Sequence, residues 1–491
     1  MKALKILSYS ILQLALLISA VCSADSIYSE PTRKLHSSYL EFMNAVYDVS
    51  FIYSPLTNRL EIFSYTLRTH NISPIYGEKI QVSDAMDLQL SRIALGGQLY
   101  QADINFQPIS NDFMIANWQL SDQSNEQRGQ IISSELISTI SKDTISSEEI
   151  VANYDVDVYK IIYQTVDPAG DLTTASALIA IPLTENSSLP IIAIQYGGII
   201  KRSNAPSSND IDGFSLGVAA NGYYVVIADY LGLGESLCLH PLLHAQSLAS
   251  SVIDALRAGR HLSLKKNVSL NGQLFLMGYS EGGYATLAVQ REIQNNYANE
   301  FTITGSAPIA SSYDLIWTLE YILQESAPFP IPSLLPYLIL SFNQVYGLYD
   351  NLDSVFLPPF DTVIEHYFNG EYSFPEIDNI LPENFRQLFT EEFYSMLENK
   401  DSPLYASLSE NNIYRWKPHA PTRLYHCIND EIAPFQNSQM AYDFFLSAGA
   451  QDVGLIALQH NSYDLTGTHA KCALPLMLMA KAWFDTLLIS R

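Results

Sequence analysis

From about Gly129 onward, short apolar runs alternate with longer segments whose apolar residues recur every three or four positions. The run "LPIIAIQYG" is continuously apolar, as in a strand buried on both faces. "GFSLGVAANG" predicts a short helix that stops at Gly222. "YYVVIADYLGLGES" predicts a strand that runs into a glycine loop, and "HAQSLASSVIDALRAGRHL" an amphipathic helix. "QLFLMGY", "GYATLAVQREIQNNY" and "TITGSAPIA" then read as strand, helix and strand. Upstream, "ISSELIST" has apolar residues at helix-like spacing, and "YDVDVYKIIYQTVDPAGDLTTASALIAIPL" predicts two strands joined by a turn at "DPAGD". Alternation of this kind predicts an α/β fold with a mostly parallel central sheet.

The pattern breaks between Leu315 and about Lys417, a stretch rich in Pro, Phe and Tyr with several helical pieces, and resumes at "APTRLYHCIND". "SQMAYDFFLSAG", "VGLIALQH" and "LPLMLMAKAWFDTLL" complete it as helix, strand and helix. A long insertion at this point predicts a helical cap, residues 315–417, within a domain of residues 128–491, with an aromatic lining for the pocket beneath it. Residues 25–127 read differently. Short alternating segments broken by Pro, Asn, Asp and Gly predict a separate N-terminal β-rich domain of unknown role. Residues 1–24 carry Lys2 and Lys5, the apolar "ILQLALLISAV" and small residues before a cut after Ala24, which describes a secretory signal peptide. No later segment looks like a membrane span, so a secreted or periplasmic location is expected.

Charge narrows the functional classes. A net charge of −25 disfavours nucleic acid as a partner. There is no H-E-x-x-H and no paired C-x-x-C, so neither metal nor cofactor is expected. "YLGLGES" lacks the full glycine fingerprint of a dinucleotide site and reads as a loop. Cys22 leaves with the signal peptide; Cys238, Cys427 and Cys472 remain, enough for one disulfide and one free thiol. Cys427 and Cys472 form a candidate pair, with two buried unpaired cysteines the alternative.

The stretch "LFLMGYSEGGYAT" concentrates the chemistry. Gly278-Tyr279-Ser280-Glu281-Gly282 has the form G-x-S-x-G between a strand and a helix. A serine on such a turn projects its hydroxyl from the sheet edge, and small neighbours leave room for the turn. A serine hydroxyl needs a base and an acid that orients the base, and on this architecture they follow in the order Ser, Asp or Glu, His. Asp430, after "TRLYHCI", is the candidate acid, with Glu431 and Asp314 as rivals. His469, in "GTHAKC", is the candidate base, with His460 as rival. The backbone amides of Glu281 and of Gly197 or Gly198, after "IIAIQY", are candidate oxyanion donors. An anionic Glu281 would oppose an oxyanion, so its side chain is expected to point away or to be paired.

Together, "YDVDVYKIIYQT", "TTASALIAIP", "YYVVIADYLGLGES", "GYSEGGYAT", "NDEIAP" and "GTHAKC" resemble the secretory lipase family, α/β-hydrolases of the lipase A type. The resemblance runs from about Gly129 to the C-terminus. It implies an α/β-hydrolase fold, a cap after the sixth core strand, and a triad on Ser280, Asp430 and His469. The implied activity is hydrolysis of acylglycerols or other carboxylic esters; the expected partner is an acyl ester substrate, as met at a lipid–water interface. The family often has histidine where Tyr196 stands, and residues 25–127 match nothing in it. A serine peptidase, an esterase acting on decorated polysaccharide and a catalytically silent hydrolase-like binding protein are the alternatives on the same fold.

Overall fold

The computed structural model describes residues 127–146, 151–184, 188–324, 328–382, 384–459 and 467–489, with the backbone of six strands between Arg33 and Leu120. The signal-peptide segment, Cys22 and His460 lie outside the described residues. The chain divides into two units, one holding the strands before Asn125 and the other almost everything from Glu126 onward.

The first unit contains strands β1 (Arg33–Phe42), β2 (Ala45–Ser54), β3 (Arg59–Leu67), β4 (Asp87–Leu95), β5 (Gln98–Gln107) and β6 (Asp112–Leu120). They pair antiparallel in the order β1-β2-β3-β6-β5-β4. Four of the five neighbouring pairs are sequential, as short alternating segments separated by turns favour.

In the second unit, strands β7 (Ile131–Ile140), β8 (Val156–Val166), β9 (Leu172–Pro182), β10 (Leu189–Gln195) and β11 (Tyr224–Ala228) are followed by β12 (Leu270–Tyr279), β13 (Ile303–Ile309), β14 (Thr422–Cys427) and β15 (Val453–Leu458). They form a nine-stranded sheet in the order β15-β14-β13-β12-β10-β11-β9-β8-β7. The strands from β10 to β15 run parallel, and β7, β8 and β9 add antiparallel at one end. Every residue of β10 and β11 is buried, which explains their unbroken apolar runs.

"ISSELIST" is not a helix. It lies within β7, the edge strand, with Ile132 54%, Leu136 48% and Ile137 40% exposed. No helical stripe is buried there; backbone pairing with β8 decides the conformation, and such pairing is invisible to local spacing.

Helices α1 (Gly213–Ala220), α2 (Ala245–Lys265) and α3 (Glu281–Asn296) come from the crossovers. The insertion contributes α4 (Leu315–Gln324), α5 (Leu334–Tyr346), α6 (Phe360–Tyr367), α7 (Phe374–Asp378), α8 (Glu391–Glu398) and α9 (Pro403–Glu410). α10 (Gln436–Ser447) and α11 (Thr468–Thr486) close the chain. α2, α3 and α10 bury their apolar faces on one side of the sheet, and α1 and α11 on the other. Two apolar cores result, and they hold the sheet as a rigid middle layer.

The insertion leaves the sheet after β13 and returns at β14, so it sits at the carboxyl ends of the strands, where open α/β sheets present ligand sites. Cys427, the last residue of β14, is bonded to Cys472 in the first turns of α11, and Cys238 is free. The bridge spans 45 residues of sequence. Closing such a loop removes freedom from the unfolded chain, so Cys427→Ser/Cys472→Ser should cost about 2–4 kcal/mol of stability. Denaturant midpoints of the two proteins check this; equal midpoints would refute it.

Candidate active site

The turn from β12 into α3 is tightly crowded. Ser280 occupies φ 59° and ψ −123°, a conformation that L residues adopt only under constraint. A Cβ on Gly282 would stand 2.0 Å from the Gln195 carbonyl oxygen of β10, and one on Gly283 2.3 Å from the Ile309 oxygen of β13. The neighbouring strands thus press on the turn from both sides, and the glycines are required by space. Ser280 makes no capping hydrogen bond with its side chain, which leaves Oγ for another partner.

That partner is His469. Its Nε2 lies 3.0 Å from Ser280 Oγ, and its Nδ1 lies 2.7 Å from Asp430 Oδ2. A carboxylate at Nδ1 fixes the proton there, so Nε2 is left to accept from the serine hydroxyl. Asp430 sits in the loop after β14, where its Oδ1 accepts from the amides of Ile432 at 3.0 Å and Ala433 at 2.8 Å. His469 lies in the first turn of α11. Its amide donates to Glu431 Oε2 at 3.1 Å, and its carbonyl accepts from Tyr279 OH. Glu431 therefore holds the histidine backbone while Asp430 meets the ring. Asp314 is elsewhere employed: it caps α4 through Trp317 N and accepts from Asn412 and Tyr414.

The backbone at Gly197 lies against the serine; a Cβ there would be 3.5 Å from Ser280 Cβ. Tyr196 turns its ring away, stacks on Tyr230 at 4.6 Å and donates to the Asp229 carbonyl. Glu281 opens α3, where helix geometry leaves the first amides without intrahelical acceptors. Its side chain is buried and paired: Oε1 meets His240 Nε2 at 2.9 Å and accepts from Leu243 N at 3.2 Å.

Ser280, Glu281 and Gly198 border a cavity of about 70 Å³. The insertion supplies much of the remaining wall, with Leu315, Leu319 and Ile322 from α4 and Leu335 and Leu338 from α5. The expected aromatic lining reduces to Phe329, because the aromatic residues of the insertion mostly pack on one another within it. Among the described residues, no group of His, Cys, Asp and Glu could hold a metal ion, and no helix is long and apolar enough to cross a membrane.

The secretory lipase family model matches residues 212–486, more than half of the chain. The chain belongs to the secretory lipase family. It is similar to the rice cell wall degrading esterase LipA from Xanthomonas oryzae, with 29% identity and a TM-score of 0.69 over 74% of this chain and 100% of that one. A ligand-bound form of that esterase matches with 30% identity and a TM-score of 0.65, over 72% and 96% of the two chains. Candida antarctica lipase A in its closed state shares the fold, with 17% identity and a TM-score of 0.54 over 74% and 84%. No curated protein matches the chain significantly. This member of the secretory lipase family thus has the α/β-hydrolase fold and is a carboxylic ester hydrolase.

Sequence reasoning missed two histidines of this family member. His240 follows the glycine loop and meets Glu281; Gly232, at φ +81°, gives it room, since a Cβ there would be 2.4 Å from His240 N. His426 lies in β14, donates from Nε2 to Ala433 O at 2.7 Å and stands 3.4 Å from Asp430 Oδ2. Only its spacing of four residues from Asp430 could have drawn attention to it.

Burial works to raise the Asp430 carboxyl, but His426 and His469 outweigh it and hold the group well below its ordinary value of 3.8. A depressed folded value means that ionised Asp430 stabilises the fold above its ordinary value, and that this stabilisation is lost as pH falls through the window below it. Asp430→Asn should therefore lose less stability than the wild type between about pH 5 and 2. Denaturant midpoints across that range check it; parallel losses would refute it.

Proposed function

We propose that this protein is a secreted serine hydrolase that cleaves lipid acyl esters through an acyl-enzyme. The observation that carries the reading is the hydrogen-bonded row Ser280–His469–Asp430, with distances of 3.0 and 2.7 Å, bordering an apolar cavity. Ser280 Oγ attacks the acyl carbon while His469 Nε2 takes its proton. Charge on the former carbonyl oxygen is met by the amides of Glu281 and of Gly197 or Gly198. His469 then protonates the departing alcohol, and the acyl group stays on Ser280. Water, deprotonated by the same nitrogen, releases the acid. Asp430 keeps the imidazole in the required tautomer and stabilises its cation. In this reading residues 128–491 carry catalysis, residues 315–417 are the cap, and residues 25–127 form a separate domain. The N-terminal "ILQLALLISAV" segment and the family itself support export.

The leucine-rich cavity favours an alkyl acyl chain, because burying each methylene contributes about 0.8 kcal/mol. The likeness to an esterase described as degrading rice cell wall favours a second reading, an ester that decorates a cell-wall polymer. Initial rates on p-nitrophenyl esters from acetyl to palmitoyl separate the two. A rising optimum at longer chains supports the lipid reading, and acetyl turnover with no gain at longer chains favours the second. Ser280→Ala should lower the rate by roughly 10⁴-fold or more and abolish labelling by a fluorophosphonate. Retained labelling would refute the assignment of the nucleophile.

A further inference from the structure

Glu281 poses an electrostatic problem: its amide is a proposed oxyanion donor, while its own carboxylate stands in the wall of the same cavity. Oε2 is buried, has no hydrogen-bond partner, and would lie 3.6 Å from a Cβ on Gly198. An uncompensated negative charge here would repel the charge that forms on the substrate oxygen.

We infer that His240 is a positioning residue for the ester hydrolysis, sharing a proton with Glu281 so that the pair presents no net charge to the oxyanion. This rests on the proposed role of Ser280 and its neighbouring amides. The argument is one of donors and acceptors. His240 Nδ1 is 2.8 Å from the Leu231 carbonyl, which can only accept, so Nδ1 carries a proton. His240 Nε2 is 2.9 Å from Glu281 Oε1. An unprotonated nitrogen facing a bare carboxylate oxygen would set lone pair against lone pair, so a second proton sits between them. The pair is either imidazolium with carboxylate or imidazole with carboxylic acid, and both are neutral overall. Side-chain exposures of 1% and 3% keep water from supplying that compensation.

The surroundings leave the task to His240. Tyr196, Tyr230, Tyr284 and Tyr337 face Glu281 from β10's loop, the glycine loop, α3 and α5, and burial raises all four hydroxyls, so they stay neutral. Asp229, behind Tyr196, is held by Ser176 and Ser207. Arg202, near Tyr337, is engaged by the Ser236 carbonyl and Glu371. His469, which meets Ser280 Oγ, and Asp430, which meets His469, stay the same in every variant compared.

The test is the pH profile of kcat on one p-nitrophenyl ester for the wild type, His240→Gln and His240→Gln/Glu281→Gln, with Ser280→Ala as reference. His240→Gln should lower kcat roughly 10- to 100-fold with little change in KM, because the repulsion arises only in the transition state. Its kcat should also fall along a new limb as pH rises and the lone Glu281 ionises. The double variant should remove that limb and recover most of the loss. A His240→Gln profile parallel to the wild type, or a double variant no better than the single, would overturn the proposal. Turnover that survives Ser280→Ala would instead refute the assignment of the nucleophile. If His240→Gln does not fold, nitrogen and carbon NMR of the intact protein labelled in histidine and glutamate decides. A protonated Nε2 on His240, or an unprotonated Nε2 beside a Glu281 whose carboxyl carbon reads as the protonated acid, supports the pair; an unprotonated Nε2 beside an ionised Glu281 overturns it.

Discussion

The turn at Ser280 is the constraint from which the site is built. Strand β12 must become helix α3 within one residue, while β10 and β13 press from either side. Only a positive φ at the serine and bare glycines around it satisfy that geometry. The same turn sets three other features. It lifts Oγ off the sheet, aims the first amides of α3 at the space above, and brings Gly197 against the serine. The strain is sustained by the two apolar cores that hold the flanking strands.

Asp430 and His469 reach this turn from segments with a helix and a strand between them. Their mutual position depends on the end of β14 and the start of α11, and the Cys427–Cys472 bond ties those two points together. His426 and the amides of Ile432 and Ala433 add fixed contacts around the carboxylate. The carboxylate of Asp430 is thus solvated by the protein rather than by water, and it stays ionised despite burial. Glu281 presents the opposite case. One of its oxygens has two partners and the other has none, so the charge beside the serine depends on a single histidine.

The insertion divides its apolar residues by shape. Aromatic rings stack on one another in pairs such as Phe389 and Phe393, and stiffen the insertion from within. Aliphatic side chains from α4 and α5 face the cavity instead. A composition rich in Phe and Tyr suggested an aromatic pocket, but large rings gain more from each other, and the narrow cavity is walled by leucines.

By itself the sequence determined what depends on neighbours along the chain. The buried strands of the parallel sheet appear as unbroken apolar runs because both of their faces are covered. The serine turn is legible because its steric demand falls on residues within three positions, and Asp430 and His469 stand at the ends of recognisable strands and helices. Tertiary structure decided the rest. "ISSELIST" became an edge strand because β8 offered it backbone partners. Glu431 and Asp430 are adjacent and chemically alike, and only the approach of α11 gives one the ring of His469 and the other its amide. His240 gains its meaning from a carboxylate 41 residues away, brought close by the glycine loop. Local spacing reports which face of an element is buried; it carries no information on which polar groups meet across the fold.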